Sequence, residues 1–280
     1  MNNYYFKNEY LLENAALAIN NGDVLEKTVE TIKRWAATNR YQKAVDTSLI
    51  KKLFANQLLA LLPDNVFAKL SPHFERVLFS GEESIYQPGD SIDFIYFPES
   101  AVLSEYQILE DGRTIEIAMT GKEGVAGFSS MLNSHPATNW TQVSVAGSAL
   151  KINAQAIKRE FSHADAFQSL LFDYINKYIN QISQRAICNS YHMTEARFCS
   201  WLLMLHNRNN SNNKLRLTQE QIARYLGVHR PSVTQIALNL RKQKIINYLR
   251  GEISILHRRE LENSSCGCYE IIDEAFLTQN

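Results

Sequence analysis

The stretch that most constrains this chain is Leu217–Ile246, which reads LTQEQIARYLGVHRPSVTQIALNLRKQKII. Thr218 and Gln221 stand at the spacing of a capping box, which predicts the start of a helix. Gly227 predicts its end, because glycine adopts the left-handed backbone of a helix C-terminus at no steric cost. Pro231 suits the first turn of a second helix, where its missing N–H is not needed. The stretch therefore predicts two short helices joined by a tight turn.

The second predicted helix carries polar side chains between its apolar positions. Hydrogen-bonding side chains on such a helix can contact base edges in a major groove of DNA. The candidate base-contacting residues are His229, Arg230, Ser232, Thr234, Gln235 and Asn239. Residues at the helix ends and in the following segment complete the candidate DNA-binding set with Thr218, Gln219, Pro231, Arg241, Lys242 and Arg250. A helical hairpin that makes only protein contacts is the alternative for this pattern alone.

Two further features favour DNA as the partner. The run from Leu249 to Ile255 has a glycine turn between apolar residues, which predicts a β-hairpin of the kind that forms the wing of a winged helix. Residues 214–260 contain ten Lys or Arg and three Asp or Glu, about +7, in a chain with no formal net charge. Such an asymmetry is typical of a module that contacts phosphates.

Upstream, between Arg76 and Ile152, the pattern changes to short runs rich in Val, Ile, Tyr and Phe with turn signals between them. The predicted strands are Ile92–Phe97, Val102–Leu109, Thr114–Met119 and Val143–Lys151. Short strands at this spacing predict an antiparallel sandwich or barrel of the jelly-roll type. A metal-dependent enzyme of the cupin type is the rival for such a fold. It is disfavoured because the histidines of this half, His73, His135 and His163, form no His-x-His pair.

A long helix is predicted after the strands, because apolar residues recur every three or four positions without proline or glycine. The seam consists of Phe167, Leu171, Tyr174, Tyr178, Ile182 and Arg185. Its heptad-like spacing favours pairing with the same helix of a second subunit, and a helix-turn-helix protein commonly binds a two-fold DNA site as a dimer. We therefore predict these six as dimerisation residues. The alternative is a helix packed only on its own β-roll.

The predicted fold class is α+β with five segments. These are a helical N-terminal extension (1–56), a β-roll (57–160), a dimerisation helix (161–192), a winged helix-turn-helix (193–262) and a C-terminal tail (263–280). No apolar run approaches the roughly 18 residues of a membrane span, and the N-terminus lacks the pattern of a signal peptide. We therefore expect a cytoplasmic protein without a membrane partner.

The four cysteines, Cys188, Cys199, Cys266 and Cys268, are too few and too unevenly placed for a disulfide framework. Cys188 and His192 are predicted to share a helix face, and Cys266 and Cys268 form a close pair. A metal or redox site can be imagined from them, but two ligands on a helix do not make a site. Cysteines packed in the core are the commoner arrangement, so no metal site and no cofactor are predicted.

In the order of its segments the chain resembles the Crp/Fnr superfamily of bacterial transcription regulators, over roughly residues 57–270. GVHRPSVTQIALNLRKQKII is similar to the family's recognition helix, which implies a base contact for Arg230 and a phosphate contact for Ser232. YQPGDSIDFIYFPESAV resembles the family's cyclic-nucleotide-binding-like β-roll, and GKEGVAGF, CNSYH and CGCYE resemble a less-studied branch. Pro231 and Gln235 stand where better-known members carry glutamate and arginine, so their operator sequence is not expected to apply.

The resemblance also bears on the effector. Members that bind cyclic nucleotides use a glycine–glutamate pair followed by an arginine–serine pair, and residues 121–128 resemble the first half with Glu123 as the acid. Residues 136–140, PATNW, offer no arginine for the charge-assisted contact with the cyclic phosphate. Glu123 and Thr138 are therefore the candidate pocket residues for an unidentified small molecule other than cyclic AMP. Iron–sulfur sensing is not expected, because no cysteine precedes Cys188.

The sequence thus predicts a homodimeric, sequence-specific regulator that binds double-stranded DNA, and the resemblance implies RNA polymerase as a further partner. The alternative is a protein-interaction scaffold whose acidic N-terminal two-thirds is functional and whose basic end binds nucleic acid weakly. An enzyme is not expected, because no nucleophile, base and orienting group converge on a recognisable motif.

Overall fold

A computed structural model describes residue 51 and residues 54–132, 135–209 and 214–277. The predicted helical extension, 1–56, lies almost wholly outside the described residues and stays a prediction. Two short helices, α1 (Gln57–Ala60) and α2 (Asp64–Leu70), lead through a single 3₁₀ turn, Ser71–His73, into the first strand.

Seven antiparallel strands form the predicted β-roll. They are β1 (Glu75–Phe79), β2 (Ser84–Tyr86), β3 (Phe94–Pro98), β4 (Val102–Ile108), β5 (Thr114–Thr120), β6 (Trp140–Val145) and β7 (Gly147–Asn153). One sheet has the order β1-β7-β3 and the other the order β2-β6-β4-β5. A short helix, α3 (Ser129–Leu132), precedes β6, and α4 (Ala154–Phe161) follows β7.

The predicted strand Val143–Lys151 is wrong as a single element. The chain leaves the four-stranded sheet at Val145 and enters the three-stranded sheet at Gly147, so this run supplies two strands. A β-carbon at Gly147 would lie 2.5 Å from the backbone nitrogen of Ala101. Glycine is needed there because the chain passes between the sheets against the backbone of the loop before β4.

The long helix is confirmed as α5 (Asp165–Tyr191), but its predicted seam faces the other way. Within the single chain five of the six seam residues are at most 6% exposed, namely Phe167, Leu171, Tyr174, Tyr178 and Arg185, and Ile182 is half-buried. Tyr174 donates to the carbonyl of Val125, and Gln181 to that of Met119, both at 3.1 Å. The assignment of these six as dimerisation residues is therefore corrected. The apolar side chains of this seam pack on the β-roll. Heptad-like spacing alone does not tell a helix that covers a sheet from one that pairs with a partner helix.

The C-terminal third forms the predicted winged helix. Its elements are α6 (Thr194–Arg208), β8 (Lys214–Arg216), α7 (Gln219–Leu226), α8 (Arg230–Lys242), β9 (Ile246–Leu249), β10 (Glu252–Ile255) and α9 (Arg258–Asn263). The wing sheet has the order β8-β10-β9. Arg250 and Gly251 form its two-residue turn with φ of 52° and 76°, as a tight hairpin turn with two left-handed residues requires.

The segment predicted as a tail, 263–280, contains another helix, α10 (Cys268–Leu277). Tyr269 and Ile272 are buried, and α10 packs against both α5 and α6. The helix α10 is therefore an integral part of the fold.

One apolar cluster joins the winged helix to the β-roll. Val102, Met119 and Val145 of the β-roll belong to the same buried cluster as Trp201 and the core of α6–α8. Such shared packing fixes the orientation of the winged-helix module relative to the β-roll. No helix in the described part of the chain is long and apolar enough to cross a membrane.

Candidate nucleic-acid interface

The two helices of the predicted DNA-reading pair are held by the local interactions that their sequence specifies. The Thr218 hydroxyl accepts from the Gln221 backbone N–H at 3.2 Å, and the Gln221 side chain accepts from the Thr218 N–H at 2.6 Å. Gly227 ends α7 with φ of 65°, in the left-handed region. Pro231 lies in the first turn of α8. The inner face of α8 carries the buried side chains Val233, Ile236 and Leu240. The capping box and the turn are thus confirmed.

None of the twelve candidate DNA-binding residues is buried. Nine are exposed, namely Thr218, His229, Arg230, Pro231, Ser232, Gln235, Arg241, Lys242 and Arg250. Gln219, Thr234 and Asn239 are half-buried. The outer face of α8 and the wing tip are therefore open to a partner from outside the chain.

All three half-buried candidates have partners inside the protein. The Thr234 hydroxyl donates to the Gln219 side-chain oxygen at 2.7 Å, which ties α8 to α7. The Asn239 amide donates to the Glu195 carboxylate at 3.0 and 3.2 Å, which ties α8 to α6. These contacts hold α8 in place, and the sequence does not indicate them because all three residues fit an outward polar pattern.

Positive charge is left unneutralised on α8 and at the wing tip. The Lys214–Glu252, Arg224–Glu82 and Arg258–Glu262 ion pairs occupy three basic residues of the module. Arg230, Arg241, Lys242 and Arg250 are exposed, and in the described ranges none of them has an ion-pair partner. Exposed cations without an ion-pair partner attract phosphates, because no internal contact has to be broken.

A polar joint that the sequence did not predict connects the winged helix with the β-roll. Glu116 of β5 is fully buried and accepts from the Arg185 guanidinium at 3.2 Å, from the Trp201 indole at 3.0 Å and from the Ser104 hydroxyl at 2.6 Å. Burial raises the pKa of Glu116, and the Arg185 charge opposes that rise. One carboxylate thus joins the β-roll, the long helix α5 and the first helix of the winged-helix module.

The candidate effector acid Glu123 is part of a second such joint. The Arg208 guanidinium of α6 donates to Glu123 at 2.9 Å and to Asp273 of α10 at 2.7 Å. Burial alone would lower the pKa of Arg208, but the two carboxylates outweigh it and raise that pKa.

The loop that carries Glu123 packs tightly against two helices. A β-carbon at Gly121 would lie 2.5 Å from the Arg208 side chain, and one at Gly124 would lie 2.5 Å from the Tyr174 ring. The other candidate, Thr138, is exposed, and its carbonyl accepts from the Gln107 amide at 3.1 Å. Glu123 and Thr138 thus have different surroundings, and within the described residues no hydrogen bond joins them.

Inside the β-roll the sequence reasoning missed Glu105 of β4. Its carboxylate accepts from the Asn139 amide at 3.1 Å and is hydrogen-bonded to Tyr178 of α5. Burial raises the pKa of Glu105. A lone glutamate on an alternating strand looks like part of a solvated face, so no signal in the sequence singled it out. Glu105 is half-buried, so the β-roll presents a carboxyl group beside α5.

The family comparisons match both halves of this arrangement. Residues 76–163 match the cyclic nucleotide-binding domain, and residues 196–264 match the Crp-like helix-turn-helix domain. Together the two matches cover more than half of the chain. A comparison with curated proteins by sequence finds no match.

Solved structures share the fold over most of the chain. FixK2 from Bradyrhizobium japonicum is 17% identical with a TM-score of 0.59, covering 69% of this chain and 98% of its own. TTHB099, a CRP-family transcriptional regulator from Thermus thermophilus, is 16% identical with a TM-score of 0.57, covering 68% and 96%. CLP from Xanthomonas campestris, described as a c-di-GMP-responsive global regulator, is 14% identical with a TM-score of 0.55, covering 69% and 99%. A cyclic nucleotide-binding-type β-roll, a long helix and a Crp-like helix-turn-helix in this order identify the chain as a member of the Crp/Fnr superfamily of transcription regulators.

Proposed function

We propose that the chain acts as a homodimeric, sequence-specific DNA-binding regulator and not as an enzyme. The observation that carries this proposal is the outer face of α8, where Arg230, Ser232 and Gln235 are exposed. No protein group among the described residues takes up the hydrogen-bonding capacity of these three side chains. With Arg241 and Lys242 at the end of the same helix, the face combines base-contacting groups with phosphate-binding cations. A contact with RNA polymerase is a further expectation from the family.

The dimer contact is proposed for the outward face of α5 instead of the inward seam. Phe172, Ile179 and Ile187 are 53%, 53% and 49% exposed, and they follow one another at intervals of seven and eight residues. At about 3.6 residues per turn these intervals keep the three side chains on one side of the helix, and the partner that matches this apolar side is the same side of a second copy. A two-fold dimer would also place its two α8 helices where they can enter successive major grooves of DNA.

A variant with Phe172→Glu and Ile179→Glu is expected to lose the dimer. In a dimer the two introduced carboxylates would lose their water and would lie opposite the same carboxylates of the second copy. In the single chain they project into water. Light scattering coupled to gel filtration should give about 64 kDa for the wild type, twice the 32.1 kDa of one chain, and the single-chain mass for the variant. Leu78→Glu, at an apolar residue that is 81% exposed on β1, is the matched control and should stay dimeric. A monomeric wild type or a dimeric double variant contradicts this assignment.

The effector is proposed to be a molecule other than cyclic AMP. The β-roll offers the half-buried carboxyl of Glu105 beside α5, and the acid at Glu123 is already bound to Arg208. Arg76 and Arg113 of the β-roll are paired with Glu99 and Asp111. An anionic phosphate would therefore lack the bidentate guanidinium contact that binds it tightly.

Arg230→Ala and Lys242→Ala are expected to change DNA binding in different ways. Loss of Arg230 should cost about 1–3 kcal/mol against the preferred base at one position and relax the choice there. Loss of Lys242 should weaken binding to all sequences alike and reduce the salt slope by about one. Selection from random DNA followed by titration at several salt concentrations measures both quantities. Arg159→Ala, an exposed arginine on α4, is the control and should leave both unchanged.

The selection also separates this function from the scaffold alternative. A regulator should return a nearly palindromic site with half-sites about one helical turn apart. If no motif emerges and the affinity ratio over random DNA is near one, the scaffold hypothesis replaces the proposal. If Arg230→Ala and Lys242→Ala behave identically, the assigned roles are wrong even though DNA binding stands.

A further inference from the structure

Four potential metal ligands meet where the long helix ends. Cys188 and His192 come from the last turn of α5, and Cys266 and Cys268 come from the segment that opens α10. One ligand atom from each of the four lies within 4.8 Å of every other. The Cys188 and Cys266 sulfurs are 3.4 Å apart, and the Cys268 sulfur is 3.3 Å from Nδ1 of His192.

The fold creates this cluster from two weak sequence signals. Cys188 and His192 are one helical turn apart, and the single residue between Cys266 and Cys268 lets both of their sulfurs face α5. The sequence predicted ordinary packed cysteines because nothing in it showed that α10 returns to the end of α5. The packing of α10 on α5 and α6 brings the two pairs together.

We propose that Cys188, His192, Cys266 and Cys268 bind a structural Zn²⁺ ion. A Cys₃His set is a common ligand set of closed, tetrahedral zinc sites, with Zn–S bonds of about 2.3 Å and Zn–N bonds of about 2.0–2.1 Å. A tetrahedron with these bonds has edges between ligand atoms of about 3.5–3.8 Å. The observed 3.3 and 3.4 Å separations lie close to those edges, so small shifts suffice to admit the ion.

The surroundings of the cluster suit metal-bound thiolates. The Gln184 amide donates to the Cys268 sulfur at 3.1 Å. The Ser200 hydroxyl donates to the Cys266 carbonyl at 2.8 Å and lies 3.0 Å from the Cys266 sulfur. A hydrogen bond such as that from Gln184 orients a ligand and stabilises negative charge on sulfur. Zn²⁺ would displace the thiol protons into solvent, so no redox partner is required.

The position of the site gives the ion a structural role. His192 directly follows α5 as its C-cap, and α6 of the winged helix begins two residues later at Thr194. Cys268 is the first residue of α10, which also carries Asp273, the partner of Arg208. Zn²⁺ would therefore fix the joint between the long helix and the winged-helix module and hold α10 against both. Three of the four ligands are buried, and four protein ligands leave no open coordination position for catalysis.

Metal analysis of the full-length chain tests the site directly. The protein is purified without a metal-affinity step, and its zinc is measured by inductively coupled plasma mass spectrometry. About one Zn²⁺ per chain is expected for the wild type, and its loss is expected for Cys266→Ser combined with Cys268→Ser. Cys199→Ser is the matched control, because Cys199 is a buried cysteine outside the cluster and its substitution should leave the zinc content unchanged.

Two further measurements keep the test independent of folding defects. Co²⁺ added to reduced, metal-free wild-type protein should produce the intense visible bands of tetrahedral cobalt with thiolate ligands. His192→Ala removes a partly exposed ligand, should fold normally by circular dichroism, and should bind Zn²⁺ more weakly than the wild type. None of these readouts involves DNA, so failure of the metal site and failure of the proposed DNA-binding function are distinguishable.

Three results would overturn the zinc site. In the first, the reduced wild type takes up no Zn²⁺ from a zinc salt. In the second, the double cysteine variant retains the full zinc content. In the third, wild-type protein from cells contains a Cys188–Cys266 disulfide, seen as a loss of two hydrogens in its intact mass, in place of zinc. Iron in place of zinc would contradict the metal assigned here.

Discussion

Arg185→Met is expected to lower the free energy of unfolding by about 3–5 kcal/mol, because it leaves the Glu116 carboxylate buried without a counter-charge. Both partners are almost inaccessible, with side chains that are 3% and 0% exposed. Ser104 and Trp201 would still donate to Glu116, but two neutral donors do not replace a buried positive charge. Urea denaturation followed by tryptophan fluorescence measures the loss.

The loss should also depend on pH in a defined direction. Burial already raises the pKa of Glu116, and removal of the Arg185 charge should raise it further in the folded state. A carboxyl with a raised folded-state pKa binds more protons when folded. Its contribution to stability therefore falls as pH rises from the unfolded-state pKa to the folded-state pKa. The deficit of Arg185→Met should therefore be smaller at about pH 5 than at about pH 8.

Two comparisons make this prediction specific. Arg113→Ala breaks an exposed ion pair with Asp111 and should cost less than about 1 kcal/mol. Adding Glu116→Gln to Arg185→Met removes the uncompensated charge and should restore part of the lost stability. A deficit no larger than that of Arg113→Ala, or one that grows toward acid pH, would show that Glu116 does not depend on Arg185.

The parts of the fold that the sequence predicts well are those set by local interactions. The capping box at Thr218, the helix end at Gly227 and the wing turn at Arg250 and Gly251 each follow from neighbouring residues. The strand at Val143–Lys151 was misread because its apolar run does not reveal that the chain changes sheets at Gly147. A local sequence pattern specifies a helix or a strand. The surface on which that helix or strand packs depends on residues far away in the sequence.

The same limit explains the errors at the candidate sites. The seam of α5 has the spacing of a coiled coil, but the spacing is equally suited to covering a β-roll with Phe167 and Tyr174. Glu123 meets Arg208 across 85 positions of sequence, and Cys188 meets Cys266 across 78. Neither contact has a local pattern, so only the assembled fold shows that the candidate effector acid is occupied and that the cysteines converge.

Arg208→Met is expected to be about as damaging as Arg185→Met, with a loss of about 3–5 kcal/mol, because it leaves two carboxylates without their counter-charge. The side chains of Arg208, Glu123 and Asp273 are 3%, 10% and 14% exposed. Arg224→Ala, which breaks an exposed pair with Glu82, is the matched control on the same module and should cost less than about 1 kcal/mol. Combining Arg208→Met with Glu123→Gln should give a smaller loss than the sum of the single variants, with a coupling energy of about 0.5–3 kcal/mol.

The position of Arg208 adds an expectation that stability alone would not test. Arg208 joins α6 to the β-roll through Glu123 and to α10 through Asp273, so it links the winged helix to both of its neighbours. If this link makes the β-roll and the winged helix unfold together, the wild type should show one transition and Arg208→Met should show two. Scanning calorimetry distinguishes these outcomes. A single transition of unchanged width in Arg208→Met would mean that the shared apolar cluster around Trp201, and not the charged joint, couples the two modules.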